Sequence, residues 1–333
     1  MTFIVGMGRS GTTLLTNMLN SHPSVIACPE NEFVMFTARA FRKEDFTKQA
    51  TVDAFVSLFH YRFSKVISFW TPEKGLKDGI LGLSHPTYPE VCKQVYLHYP
   101  FADKNKEKVT CLVDKNPVYS LYIDDLYRLF PDARFIVLTR DYRDNIVSRK
   151  KYSDKESSLF TLAESWNYFY ERIFRSIRKN DLEYMLLRYE DLVDSPAETL
   201  DKLCTFLDIT FDESMLQFQE LSKGIKNYIK QNLSDQEYAK LTAMHHNLEN
   251  QVNTTRVASY KKELTEEEIR LLDFACRYYG EQFGYRAEHF PQGNPAVGFR
   301  LWLSRLKVQL YYNLHSLRLR IPLSWRLRFV VRK

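Results

Sequence analysis

Cysteine is scarce in this chain and unpaired. The 333 residues hold five, Cys28, Cys92, Cys111, Cys204 and Cys276, an odd number without the short paired spacings of a disulfide framework or a zinc site, which points to a reducing compartment. No apolar run reaches the roughly 18 residues that a membrane span needs. The first apolar run opens at Thr2 or Phe3 and leaves no room for a signal peptide before it, so the expectation is a cytoplasmic protein rather than a membrane-anchored one. Metal-ligand clusters are missing as well. The eight histidines are scattered, and the adjacent His245 and His246 carry no acidic or cysteine partners that read as a ligand set. With 44% hydrophobic and 26% charged residues, low-complexity disorder is excluded. Acidic residues are absent from positions 297–333, which hold nine Lys and Arg, so the whole net charge of +6 sits in that tail and the remainder is mildly acidic. Nucleic-acid binding needs a basic face on the folded domain itself, and none is indicated.

What is present begins at residue 3. Phe3-Ile4-Val5-Gly6-Met7-Gly8-Arg9-Ser10-Gly11-Thr12-Thr13-Leu14-Leu15 reads as a buried strand, a glycine-rich turn and the first turn of a helix. Glycines let backbone N–H groups turn around an anion, and the helix start adds partial positive charge. The spacing Gly6-x-x-x-x-Gly11 matches the loop that cradles nucleoside triphosphates, but Thr12 stands where that loop requires a lysine. That departure weakens a kinase or ATP-hydrolysing reading and leaves Arg9 as the local cation.

Beyond the loop, strand and helix patterns alternate, which predicts a parallel sheet with helices on both faces. Val109 to Val113, Arg134 to Thr139 and Tyr184 to Leu187 are short runs of buried-strand type. Leu14, Leu15, Met18 and Leu19 form one helical face, and Leu121, Ile123, Leu126 and Leu129 form another before Pro131. Thr265-Glu266-Glu267-Glu268 reads as a capping box opening a helix that ends near Gly284. Residues 33–108 are helical in pattern and aromatic-rich, with Phe59, Tyr61, Phe63, Phe69 and Trp70 close together, placed to be core or to line a pocket beyond the strand ends.

The loop, together with Ser21-His22-Pro23-Ser24-Val25 leading to Glu30, Asp114-Lys115-Asn116-Pro117, Arg134 to Asp141 continuing to Ser148, and Arg188-Tyr189-Glu190-Asp191-Leu192, resembles the sulfotransferases that use 3′-phosphoadenosine 5′-phosphosulfate (PAPS), in their bacterial and tyrosylprotein-type branch. The resemblance spans residues 1–290 apart from 33–108. It implies an α/β fold, a three-layer parallel sheet of P-loop nucleoside-triphosphate-hydrolase type, with 1–290 as the catalytic domain, 33–108 as a helical acceptor-binding insertion and 291–333 as a basic extension. It further implies that Gly8, Arg9, Ser10, Gly11, Thr12, Thr13 and Leu14 hold the 5′-phosphosulfate, that Lys115 faces the bridging oxygen, and that Arg140 and Ser148 bind the 3′-phosphate. Tyr189 matches a tyrosine near the adenine, with packing as the alternative. Arg256 and Lys261 fall in a loose match to a nucleotide-covering loop. Arg143 and Arg149 read as ordinary helix-surface charges. No metal is expected.

Cytosolic members of the family use a histidine after the second strand as general base, and Asn116-Pro117 offers none. Tyrosylprotein-type members use a glutamate about twenty residues after the loop arginine, which by ungapped counting from Arg9 is Glu30, with Glu32 as the rival. The implied function is transfer of a sulfuryl group to an acceptor hydroxyl of a sterol, lipid, glycan, phenol or peptide tyrosine. A P-loop kinase and a catalytically inactive nucleotide-binding protein of the same fold are the alternatives. In the tail, Phe299, Leu303, Leu306, Leu310, Leu314 and Leu317 recur at helical spacing among Arg300, Arg305, Lys307 and Arg318, and Pro322 precedes a second stretch through Trp325 and Phe329. The stripe is either a packing face or an interfacial surface in peripheral contact with a membrane.

Overall fold

Phe3, Ile4 and Val5 are wholly buried because their strand lies at the centre of the sheet, covered on both faces. The computed structural model describes residues 1–63, 75–99, 104–151, 158–219, 254–289 and 294–321. Five strands run parallel: β1 (Thr2–Val5), β2 (Val25–Cys28), β3 (Cys111–Lys115), β4 (Arg134–Thr139) and β5 (Tyr184–Arg188), in the order β2-β3-β1-β4-β5. Side chains alternate across the sheet. Phe3, Val5, Ile26, Phe135 and Val137 enter one core, whereas Ile4, Val25, Ala27, Ile136 and Leu138 enter the other. The second core is closed by α1 (Thr12–Ser21) and the helix Pro196–Phe206. The first is closed by α6 (Ile123–Leu129), α7 (Tyr142–Lys150), α8 (Leu159–Asn180) and the helix Glu266–Gln282. The three layers expected from the alternating pattern are thus present.

β4 occupies the run read from the sequence. β3 begins two residues later than Val109 and carries the ionisable Asp114-Lys115 pair in its last positions. β2 has no counterpart among the expected strands. Its four residues, between Pro23 and Pro29, are too few to display a period. The capping box is formed: Thr265 Oγ1 accepts from the Glu268 N–H at 3.2 Å, and Glu268 Oε2 accepts from the Thr265 N–H at 2.9 Å.

Residues 33–108 are helical where described, as α2 (Phe33–Phe41), α3 (Gln49–Phe63), α4 (Leu76–Leu81) and α5 (Tyr88–Leu97). Phe59 is core, its ring edge-on to Phe33 at 5.3 Å, and Phe41, Phe46 and Phe55 pack behind it. The side chains of Tyr61 and Phe63, and residues Phe69, Trp70, His245, His246, Pro322, Trp325 and Phe329, lie outside the described part, as does the side chain of Arg318.

The last described helix, Pro295–Arg320, packs mainly on α8, but not through the expected stripe. Leu301, Ser304 and Val308 are its buried residues, Tyr312 stacks on Tyr168 at 5.5 Å, and Arg305 donates to Glu171 at 2.7 Å. The helix carries two apolar rows. The row with Leu301, Val308 and Tyr312 meets the aromatic face of α8, and the leucine row faces away from it.

Candidate active site

The strand order reverses at β1, and in such sheets the ligand crevice lies beyond the carboxyl ends of the strands, here those of β1, β3 and β4. The loop after β1 is shaped by two glycines that no other residue could replace without strain. Gly6 has φ +144° and a Cβ there would lie 2.2 Å from the Leu138 carbonyl oxygen; Gly11 has φ +91° and a Cβ would lie 2.4 Å from the Tyr189 ring. Arg9 also takes a left-handed conformation at φ 71°. The loop is braced from behind. The Gly6 N–H donates to Ser120 Oγ at 2.9 Å, and Asn145 Nδ2 donates to the Gly8 carbonyl and to Ser10 Oγ at 2.9 and 3.0 Å. No side chain caps α1 and its first turn holds no acidic residue, so its N-terminal dipole is presented to the crevice.

On the β3 side, Lys115 is 4% exposed and its Nζ lies 3.5 Å from Glu30 Oε2 and 3.5 Å from Thr13 Oγ1. Glu30 is 56% exposed, so its carboxylate reaches both Lys115 and solvent. Glu32, the rival glutamate, stands two residues on as the N-cap residue of α2 and makes no capping bond. Behind Lys115, Asp114 is fully buried and accepts from the Tyr96 hydroxyl at 2.5 Å. Burial pushes its carboxyl up to about 8, against the Tyr96 hydrogen bond and the Lys115 charge, both of which favour ionisation.

That shift has a signed consequence. Between the ordinary carboxyl value of 3.8 and about 8, the folded chain holds a proton at Asp114 that the unfolded chain has released. Stability from this group therefore falls as pH rises through that window and levels off above it. Asp114→Asn keeps an acceptor for Tyr96 and removes the titration. Melting temperature measured from pH 5 to pH 9 is expected to decline less steeply in the variant than in the parent chain; equal slopes would place the dependence elsewhere.

On the β4 side, Arg140 is buried with its guanidinium 4.6 Å above the Tyr189 ring centroid. Its Nη2 donates to the Arg256 carbonyl at 2.6 Å and its Nη1 to the Arg9 carbonyl at 3.4 Å, while its Nε has no hydrogen-bond partner among the described residues. Arg9 Nε donates to Ser148 Oγ at 3.3 Å, so the loop arginine and the α7 serine meet at the same corner. A buried, under-satisfied guanidinium beside an arginine and a hydroxyl fits a dianionic phosphate, and the uncapped α1 terminus fits a second anion. Tyr189 has a packing role here, between Gly11 and Arg140. Leu14 packs against the core beneath α1. Lys261 pairs with Glu288 at 3.0 Å.

Several residues of this site were not legible as such. Asp144, buried on α7, accepts from the Ala258 and Tyr260 N–H groups at 2.8 and 2.9 Å and from Ser259 Oγ at 2.9 Å, which fixes the segment carrying Arg256 over Arg140. Glu190 accepts from the Asp141 N–H at 2.9 Å and from the Tyr285 hydroxyl at 2.8 Å. Arg143 and Arg149, expected on the helix surface, are not free surface charges. Arg143 is buried and grips Asp141 with two bonds at 2.8 and 2.9 Å, and Arg149 donates to the Leu162 carbonyl at 3.0 Å. Arg143 also reaches Asp273 at 3.4 Å and the Arg286 carbonyl at 3.1 Å, and these partners, like Leu162 for Arg149, come from chain that folds back on α7, which the helix sequence alone does not reveal.

Comparison with known proteins agrees with this geometry. The profile described as "Sulfotransferase family" matches residues 2–213, which includes the loop, Glu30, Lys115, Arg140, Ser148 and Tyr189. A Caenorhabditis briggsae protein named as a candidate protein-tyrosine sulfotransferase is 24% identical over 281 residues, 81% of this chain and 84% of its own length. The Drosophila melanogaster protein-tyrosine sulfotransferase is 26% identical over 224 residues, 66% of this chain, and the match spans only 40% of the fly protein. The sulfotransferase domain of the Synechococcus PCC 7002 olefin synthase shares the fold, with a TM-score of 0.52 at 22% identity over 87% of this chain and 95% of that one. A lysine-free anion loop, a lysine at the end of the neighbouring strand and a profile covering well over half of the residues lead to one conclusion: the chain belongs to the sulfotransferase family.

Proposed function

We propose that this sulfotransferase draws on PAPS and passes the sulfuryl group to the hydroxyl of a sterol, lipid, glycan, phenol or peptide tyrosine, with no metal required. What supports the reading is a pair of cationic clusters beyond the carboxyl ends of β3 and β4. Lys115, Thr13 and the α1 terminus form the first, and Arg140 with Ser148 forms the second, with the loop's Arg9 shared between them through its bond to Ser148. A 5′-phosphosulfate suits the first, held by Gly8 to Leu14 and Lys115, and a 3′-phosphate suits the second. Tyr189 and Arg256 border the nucleotide between them. PAPS supplies an activated sulfuryl group whose bridging oxygen departs with the nucleotide. Glu30 Oε2 takes the proton of the acceptor hydroxyl as its oxygen bonds to sulfur, and Lys115 Nζ and Arg9 neutralise the negative charge that develops on the departing oxygen. Work on the cytoplasmic side, peripheral to a membrane, is the setting we assign to it.

Calorimetry tests the donor assignment. Adenosine 3′,5′-bisphosphate is expected to bind at least about ten-fold more tightly than AMP, because only the former offers charge-assisted bonds to Arg140. EDTA is expected to leave both affinities unchanged. Equal affinity for the two nucleotides, or binding that requires magnesium, would overturn the assignment.

A further inference from the structure

The helix Pro295–Arg320 leaves a continuous strip of large apolar side chains uncovered. Phe299, Trp302, Leu303, Leu306, Leu310, Leu314 and Leu317 are all exposed, Phe299 and Leu310 by 60 and 61%. Apart from Trp302, which adjoins Leu303 at the edge of the row, they recur every three or four residues, so they share one helix face, and from Phe299 to Leu317 they extend about 27 Å at 1.5 Å per residue. Single exposed leucines are ordinary on a protein surface, but an aligned row of this length is not.

The opposite side of the helix is already used. Leu301, Ser304, Val308 and Tyr312 hold it against α8, and Tyr122 and His315 meet at 3.2 Å. The leucine strip therefore faces away from the domain in a fixed orientation. The helix is apolar on both rows, and the charge that borders the exposed strip is of one sign only. Arg300 and Lys307 border the strip on one side by helical spacing, no Asp or Glu occurs after Glu288, and positions 297–333 carry nine Lys and Arg. Arg300 lies over the Phe160 ring at 4.2 Å, which holds its charge beside the strip.

From these observations we infer that the exposed face of the helix Pro295–Arg320 is a docking surface for an anionic phospholipid bilayer, in which the helix lies along the interface with its leucine row among the acyl chains and its basic flank against the headgroups. No described helix is long and apolar enough to cross a membrane, so the contact is with one leaflet. Charge selects the bilayer over a second copy of the chain. A two-fold contact through this face brings Arg300 and Lys307 against a helix that holds no acidic residue, whereas anionic headgroups complement both charges. Docking is independent of the sulfuryl-transfer reading. A consequence that does rest on that reading is that acceptor hydroxyls resident in the leaflet are delivered to the enzyme, since the docked helix also packs on α2, which opens directly after Glu32.

The full chain, mixed with phosphatidylcholine vesicles or with mixed phosphatidylcholine–phosphatidylserine vesicles and sedimented, tests this directly. It is expected to pellet with the mixed vesicles, to stay in solution with the neutral ones, and to be released by salt. The double substitution Leu306→Glu/Leu310→Glu alters only exposed positions and is expected to lower vesicle affinity about ten-fold or more. Its melting temperature and its affinity for adenosine 3′,5′-bisphosphate should remain those of the parent chain, which separates loss of docking from loss of the fold or of the nucleotide site. Failure to pellet at low salt, equal pelleting with both vesicle types, or a dimer in solution that the double substitution dissociates would each overturn the proposal.

Discussion

Glu30→Gln is expected to lower turnover by about two to four orders of magnitude, the usual contribution of a positioned base, while leaving affinity for adenosine 3′,5′-bisphosphate nearly intact. The amide preserves the shape of the side chain and its reach toward Lys115, 3.5 Å away, but accepts no proton at neutral pH. Glu32→Gln is the matched control. That residue lies at the start of α2 without a capping bond, and its replacement is expected to change turnover by less than about ten-fold. Lys115→Ala removes a buried charge and should forfeit about 3 kcal/mol of stabilisation of the departing oxygen, or roughly a hundred-fold in turnover. Because Glu30 and Lys115 touch, the double variant should lose less than the product of the two single effects. Single-turnover transfer from labelled PAPS, with calorimetry of the bisphosphate on the same samples, checks all four variants. Full turnover in Glu30→Gln would move the base to Glu32 or to another group.

How much of this site was legible in advance follows from where each partner lies. The loop and β4 could be read because their signals are local: glycines at fixed spacing and an unbroken apolar run. Lys115 and Arg140 could be placed because the family resemblance carries them, and their positions at or just beyond strand ends of a parallel sheet agree with it. Asp114 and Asp144 could not. Asp114 stands near the end of an apolar strand and Asp144 is one acidic residue in a polar helix, and what gives them roles is Tyr96, 18 positions back on α5, and the N–H groups of Ala258 and Tyr260, more than a hundred positions on. Arg143 was misjudged for the same reason, since Asp273 and the Arg286 carbonyl reach it only once the chain has returned. In the last described helix the leucine period was plain, but which row meets α8 depends on the aromatic face of α8 itself, with Tyr168 and Phe169 placed to receive Tyr312. Periodicity identifies a helix; only the partner's surface decides which face it buries.

Arg140→Ala is expected to abolish discrimination between adenosine 3′,5′-bisphosphate and AMP. The guanidinium is held above Tyr189 with one nitrogen unpartnered among the described residues, so a phosphate there gains charge-assisted bonds without displacing an existing partner of that nitrogen. Bonds of that type are worth about 1.5–3 kcal/mol, which corresponds to roughly ten- to hundred-fold in affinity for the bisphosphate. AMP lacks the 3′-phosphate and provides the internal control. Arg140 also holds the Arg9 and Arg256 carbonyls, so a variant whose loop has collapsed would lose affinity for both nucleotides. One in which only the phosphate contact is gone loses affinity for the bisphosphate alone. Arg140→Lys should rescue little, because an ammonium has neither the planar stack on Tyr189 nor the fork that serves two carbonyls and an anion together. Calorimetric titration of both nucleotides into the parent chain, Arg140→Ala and Arg140→Lys yields the ratios directly. If Arg140→Ala keeps the parent preference for the bisphosphate, the 3′-phosphate is bound elsewhere in the crevice, and Arg9 with Ser148 becomes the pair to replace next.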